Sequence, residues 1–319
     1  MPDYRAPWWL PGGHLQTVYP SLILRGSIPP YRRTRWETPD ADFIDIDWID
    51  AGEAAPLLVL FHGLEGSSRS HYATAMMRAV AAAGWRGAVA HFRGCSGEPN
   101  RLPRAYHSGD AEEIQWILER FRRERPGIPI FAAGVSLGAN ALLKWLGRPG
   151  SQKFVAAAAA ISAPVDLACA GDRLGRGLNA WYGWNFLRTL KTKSLEKLSR
   201  FPGLYDAMVV SRAGSLRAFD NVVTAPLHGF RDTDDYWTRA AAKPDMARIE
   251  LPTLVIHARN DPFLPGEYLP APSDCSPRIE FETPSEGGHA GFVAGRFPGH
   301  LDWVPQRVLA FFRQHTGMS

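Results

Sequence analysis

Cysteine is scarce: Cys95, Cys169 and Cys275 are the only ones in 319 residues. So few, and odd in number, they build no disulfide framework, and no pair has metal-ligand spacing. This fits a reducing, cytoplasmic setting. Long apolar runs are also missing. The longest, Phe154 to Ile161, is too short to span a bilayer. No basic stretch followed by an apolar one opens the chain, so neither a membrane span nor a signal peptide is expected. Excess charge of one sign is small: 36 basic against 32 acidic side chains leave +4, too weak to argue for nucleic acid. The clusters Arg32-Arg33-Thr34-Arg35 and Arg120-Phe121-Arg122-Arg123-Glu124-Arg125 are expected to be solvated faces. Internal repeats and low-complexity tracts are absent. Tryptophan, by contrast, is plentiful. Trp8, Trp9, Trp181 and Trp184 lie outside regular patterns and are expected in the core or around an apolar pocket rather than at a membrane surface.

What is present is an alternation of strands and helices. Residues 1–30 read as an irregular strap punctuated by Pro2, Pro7, Pro11, Pro20, Pro29 and Pro30. Strands are predicted over 32–38 and 43–50, which can form a hairpin, and then over 56–62, 85–92, 128–135, 154–162, 251–258 and 278–282. Helices are predicted over 70–83, 105–125 and 303–315; the second places Ile114, Ile117, Leu118 and Phe121 on one face. Strands that are apolar without alternation argue for a mostly parallel sheet covered by helices on both faces, an α/β fold. The stretch 164–248 breaks the alternation and reads as a helical cap inserted between strands six and seven. The core would then be residues 31–163 and 249–319.

Chemistry concentrates in the segment Gly134-Val135-Ser136-Leu137-Gly138, which follows the apolar run 128–133 and precedes the helical spacing of 139–146. Strand, G-x-S-x-G, helix is the setting of a nucleophile elbow, a sharp turn that lifts a serine hydroxyl clear of the sheet. A serine needs a base, and the base needs an orienting acid. Asp261, in Arg259-Asn260-Asp261-Pro262-Phe263, ends a buried strand. His289, in Glu286-Gly287-Gly288-His289-Ala290-Gly291-Phe292, follows the last one. The order Ser136, Asp261, His289 is the order such an elbow demands. Asp166 is the rival acid; Asp110 and the Asp232, Asp234, Asp235 group are placed less well. An oxyanion needs donors, expected from the backbone N–H of Leu137 and of Leu64, the latter in the loop His62-Gly63-Leu64-Glu65-Gly66. His62 reads as structural. This chemistry requires no metal and no cofactor.

With those residues in hand, the chain resembles the α/β-hydrolase superfamily, and more narrowly its YheT-like branch, which is related to abhydrolase-domain lipases and yeast medium-chain ester synthases. The narrower resemblance rests on Trp9-Leu10-Pro11-Gly12-Gly13-His14-Leu15-Gln16-Thr17, Phe92-Arg93-Gly94-Cys95-Ser96-Gly97 and Ala225-Pro226-Leu227-His228-Gly229-Phe230, together with the elbow and the His289 loop. It implies the α/β-hydrolase fold and Ser136, Asp261 and His289 as a triad. It also implies hydrolysis of carboxylic esters through an acyl-enzyme on Ser136, on a small-molecule and even lipid-like acyl ester. Acyl transfer to alcohols is the related alternative, a non-catalytic binding module the alternative of another class, and peptidase chemistry a third. Serine at the elbow argues against dehalogenase and epoxide-hydrolase chemistry. The segment around Trp8-Trp9-Leu10 and His14 is open to two readings: a wall of the acyl pocket, or a packing strap. Peripheral membrane contact and oligomeric state stay open.

Overall fold

The computed structural model describes residues 3–24 and 26–317; positions 1, 2 and 25 of the expected strap lie outside the described residues. The chain folds as α1 (Gly13–Leu22), β1 (Arg32–Glu37), β2 (Phe43–Ile49), β3 (Leu57–Phe61), α2 (His71–Ala82), β4 (Arg86–Ala90), α3 (Ala111–Glu124), β5 (Ile130–Val135), α4 (Leu137–Leu146) and β6 (Ala157–Ile161). The helices α5 (Leu167–Arg173), α6 (Ala180–Arg200), α7 (Ala207–Arg212), α8 (Leu216–Phe219), α9 (Ala225–Leu227) and α10 (Thr233–Ala240) follow. Then come β7 (Thr253–Ile256), β8 (Ile279–Glu282) and α11 (Trp303–Arg313).

The strands form one sheet in the order β1-β2-β4-β3-β5-β6-β7-β8. β1 and β2 make the expected antiparallel hairpin, and β2 meets β4 antiparallel. Every later neighbour pair is parallel. The central strands have no polar face because both faces are covered. Along β6, Ala158 and Ala160 join Val59, Phe61 and Val255 under Leu142 of α4. Ala157 and Ala159 join Leu58, Leu60 and Leu254 under Phe312 of α11. Alternate side chains thus enter opposite layers, as strand geometry requires, and small alanines let helices close on both sides. Each fully buried large side chain contributes roughly 1.5–3 kcal/mol relative to exposure.

Three expectations need correction. The stretch read as irregular contains α1, with Pro20 inside its last turns. The helix expected from Ala105 begins at Ala111, because Asp110 caps it through the Glu113 N–H and Tyr106 turns inward instead. The tryptophans are not all core or pocket. Trp8, Trp181 and Trp184 are 91%, 51% and 57% exposed. The cause on α6 is helical geometry: Tyr182, Phe186, Leu187 and Leu190 face an apolar cluster, so Trp181 and Trp184 fall on the opposite side. Trp9 is half-buried and donates from its indole N–H to the Gly295 carbonyl at 3.2 Å.

Between β6 and β7 the described residues are helical and irregular, without a strand. Their own cluster, including Leu174, Tyr182, Val210 and Phe219, closes on Phe263 from the β7 side of the fold. Among the described residues no helix is long and apolar enough to cross a membrane.

Candidate active site

β5 ends at Val135 and α4 starts at Leu137, so the chain reverses direction through Ser136 alone. Its φ of 54° and ψ of −120° are strained for any residue with a Cβ. The turn survives because its neighbours are glycines. A Cβ on Gly138 would lie 2.5 Å from the carbonyl oxygens of Phe61 and His62, and one on Gly134 would lie 2.6 Å from the Ala139 Cα. The backbones of β3, β5 and α4 therefore touch directly, and Ser136 stands at the end of the sheet where its parallel strands all finish.

The structure brings together the three side chains that the sequence singles out. His289 Nε2 lies 2.8 Å from Ser136 Oγ, and His289 Nδ1 lies 2.8 Å from Asp261 Oδ2. With the imidazole neutral, Nδ1–H donates to the carboxylate and Nε2 accepts from the serine hydroxyl. Asp261 Oδ1 accepts from the Phe263 N–H at 2.8 Å and the Leu264 N–H at 3.4 Å. Burial alone would raise the Asp261 carboxyl. The charge and hydrogen bond of His289, with His257 and the Phe263 N–H, outweigh it and hold the group below its ordinary range. His257 is buried 3.7 Å from Asp261 Oδ2, but its Nε2–H donates to the Leu264 carbonyl at 2.7 Å. Burial pushes its pKa down, so it stays neutral beside the acid.

The loop after β3 abuts the serine: a Cβ on Gly63 would lie 3.1 Å from Ser136 Cβ. Among the described residues, the N–H groups of Leu64 and Leu137 have no protein acceptor, and both residues line the same cavity as Ser136. The neighbouring N–H groups are taken, Gly63 by Tyr72 Oη at 2.9 Å and Glu65 by Tyr106 Oη at 2.8 Å. His62 holds this loop from below. Its Nδ1–H donates to the Gly63 carbonyl at 2.8 Å and its Nε2 accepts from the Phe92 N–H at 3.0 Å. Burial lowers its pKa to about 3. Both ring nitrogens are occupied, in keeping with the structural reading.

The rival acids are employed elsewhere. Asp166 caps α5 through the Cys169 N–H and pairs with Lys243. Asp110 caps α3 and binds Arg104, and Asp232 caps α10. Sequence reasoning missed Phe263, whose ring stacks on His289 with centroids 4.1 Å apart, and the two tyrosines that pin the Gly63–Glu65 loop. The aromatic two residues after Asp261 was the available signal for the first. The tyrosines had none: Tyr72 reaches back nine residues from α2 and Tyr106 forty-one from the segment before α3, and no local pattern marks either hydroxyl as an acceptor for this loop.

Ser136 opens onto a cavity of about 370 Å³. Its walls are largely apolar, with Leu64 and Leu137 near the serine and Leu174, Phe186, Phe219 and Val223 from the helices between β6 and β7. Lys193 and Glu65, 2.8 Å apart, supply charge at its edge. Among the described residues, no group of three or more histidine, cysteine, aspartate or glutamate side chains could hold a metal ion.

A mostly parallel sheet whose fifth strand runs into a strained serine, bonded to a histidine and through it to an aspartate, defines an α/β-hydrolase-type fold. Comparison with known proteins agrees. The family described as alpha/beta hydrolase fold matches residues 56–295, and the chain belongs to that family. It is 39% identical to the YheT protein of Escherichia coli (strain K12) over 301 residues, covering 92% of this chain and 88% of that one. With phospholipase ABHD3 of Mus musculus the identity is 32%, over 94% of this chain and 78% of the relative. In fold, a Pyrococcus furiosus esterase, Pf2001, superposes with a TM-score of 0.58 over 90% of this chain and 93% of the other, at 16% identity. The YheT-like resemblance read from the sequence is borne out.

Proposed function

We propose that the protein is a serine hydrolase that cleaves carboxylic esters through an acyl-enzyme on Ser136. The observation that carries this reading is the unbroken chain Asp261–His289–Ser136, with 2.8 Å at both links, opening onto a largely apolar cavity. His289 Nε2 takes the Ser136 proton as Oγ bonds to the ester carbonyl carbon. Asp261 orients the ring and stabilises the imidazolium. The N–H groups of Leu64 and Leu137 donate to the oxyanion, which fits their lack of protein acceptors. The tetrahedral intermediate then collapses: the carbonyl re-forms, the bond to the alkoxy oxygen breaks, and His289 hands its proton to the leaving alcohol. Water, deprotonated by the same imidazole, releases the acid and restores the serine hydroxyl.

Residues 164–248 act in this reading as a cap whose apolar side chains receive the acyl portion. The relatives named as a phospholipase and, in Saccharomyces cerevisiae, a monoacylglycerol lipase support an acyl ester as substrate. A fluorophosphonate probe should label the wild type and leave Ser136→Ala unlabelled, and that variant should lose ester turnover by at least about 10⁴-fold. Labelling that survives the substitution would sink the assignment. Rates over p-nitrophenyl esters of increasing chain length should rise beyond acetate, because the cavity rewards apolar contact; a profile that peaks at acetate would remove the acyl-pocket role of the cap.

A further inference from the structure

The loop that carries His289 has an unusual support. Its successive N–H groups at 287, 288, 289 and 290 all end on side-chain oxygens: Gln16 Oε1 at 2.8 Å, Asn260 Oδ1 at 3.0 Å, Thr17 Oγ1 at 2.9 Å and Ser162 Oγ at 2.9 Å. No sheet ladder holds these amides, so the acceptors set where the imidazole stands. Two of the acceptors lie on α1, a helix outside the sheet and its covering layers.

Each acceptor on α1 is itself fixed. Thr17 Oγ1–H donates to the Gly13 carbonyl at 2.6 Å, which turns a lone pair toward the His289 N–H. Gln16 is fully buried; its Nε2 donates to the Leu10 carbonyl at 2.9 Å and to Glu286 Oε1 at 3.3 Å. Gln16 Oε1 also accepts from Asn260 Nδ2 at 3.0 Å, so one side chain ties the loop of the base to the residue preceding the acid. Backbones approach as closely as glycine permits. A Cβ on Gly291 would lie 2.0 Å from the Gln16 carbonyl oxygen, and one on Gly13 would lie 2.0 Å from the Asn260 carbonyl oxygen. Among the described residues, those of α1 do not line the cavity at Ser136, so the helix touches the base and acid loops rather than the space where an acyl chain would sit.

We propose that Gln16 and Thr17 are positioning residues: α1 is a clamp that fixes His289 relative to Asp261 and Ser136 through the backbone of the histidine loop. The proposal rests on the acyl-enzyme reading for its kinetic consequence, but the clamp itself has a readout that needs no turnover. In Thr17→Val a methyl group replaces the acceptor and faces the His289 N–H. The loop must move away, and a base displaced from its serine loses rate without losing substrate affinity. The expected result is a fall in kcat of about ten- to a hundredfold with KM changed by less than about twofold. Thr17→Ser, which keeps the hydroxyl, should recover most of the rate. The downfield proton resonance of His289 Nδ1–H, assigned by its loss in His289→Ala, should shift or broaden in Thr17→Val and stay in place in Thr17→Ser.

Gln16→Met, measured in the same way, removes the acceptor of the neighbouring Gly287 amide and gives a second reading should Thr17→Val fail to fold. Unchanged kcat in both folded variants, a loss confined to KM, or a Thr17→Ser enzyme as poor as Thr17→Val would each overturn the clamp. If the wild type turns over no ester at all, the hydrolase reading fails instead, and the resonance decides alone: an Nδ1–H signal unmoved in Thr17→Val overturns the clamp, and a moved one supports it.

Discussion

Asp166 and Asp261 both follow buried strands, and their surroundings separate them. Asp166 is half-buried, caps a short helix and faces a lysine. Asp261 is buried, accepts two backbone N–H groups on one oxygen and the imidazole on the other. We expect Asp261→Asn to lower kcat by about 10⁴-fold, since an amide can present the wrong hydrogen-bonding group to Nδ1 and favour the wrong tautomer. Asp166→Ala should cost about 1 kcal/mol of stability as a lost cap and leave kcat unaltered. Ester kinetics and urea titrations on the two variants check both halves, and equal kcat losses would contradict the division of roles. These aspartates were legible in the sequence because each stands directly after an apolar run. Gln16 and Thr17 were not. Their partners in the acid and base loops lie more than 240 residues away, and nothing local distinguishes a hydroxyl that caps a turn from one that holds a distant amide.

Elements were legible where burial writes a period into the sequence. The central strands are continuous apolar runs because both faces are covered, and α3 shows its buried face through Ile114, Ile117, Leu118 and Phe121. α1 is invisible by the same logic. Its buried residues are Gln16, Thr17 and Pro20, so polar contacts hold it where an apolar stripe would be expected, and its flanking glycine and internal proline read as a loop. α3 starts later than the expected 105, and Tyr106, which falls in the expected span, is buried off the helix with its hydroxyl bonded to Glu65. Between β6 and β7 the alternation breaks, but the broken pattern does not show which faces of the helices there turn inward. α6 turns Phe186 and Leu190 toward the cavity. We expect Leu190→Trp to fill part of that space and to reduce kcat/KM for long acyl esters by about tenfold relative to short ones. A uniform loss across chain lengths would mean that α6 does not bound the acyl site.

The whole molecule carries desolvated carboxyls of two opposite kinds, the ion-paired and the nearly unpaired, and their balance shapes its pH response. Asp40 and Asp47 sit in ion-pair networks. Burial pulls their pKa values upward, but hydrogen bonds from Arg93 and Thr38 on the first, and from Arg33, His91 and Ser68 on the second, bring both below the ordinary range, Asp40 to about 2. Such groups stabilise the fold above the unfolded pKa, and that stabilisation is lost as pH falls through the folded one. Asp220 is the reverse case. It is half-buried at the wall of the cavity, with the Thr224 hydroxyl and the Trp237 indole N–H as its donors, at 2.6 and 2.9 Å. Burial dominates and raises it to about 6 from an ordinary 3.8. The folded state therefore binds this proton more tightly than the unfolded chain does. Its contribution is fully present below pH 3.8 and is lost as pH rises through about 6. A shift of this size corresponds to about 3 kcal/mol between the two limits. Asp220→Asn keeps an acceptor for Trp237, can donate to Thr224 and cannot ionise. Its stability relative to the wild type should therefore climb as pH rises from about 4 to about 7 and flatten beyond, while the acid limb set by Asp40 and Asp47 stays common to both proteins. Denaturant midpoints across that interval measure the difference directly. A difference that does not vary with pH would show that Asp220 is ionised throughout, with its burial relieved by access to solvent from the cavity.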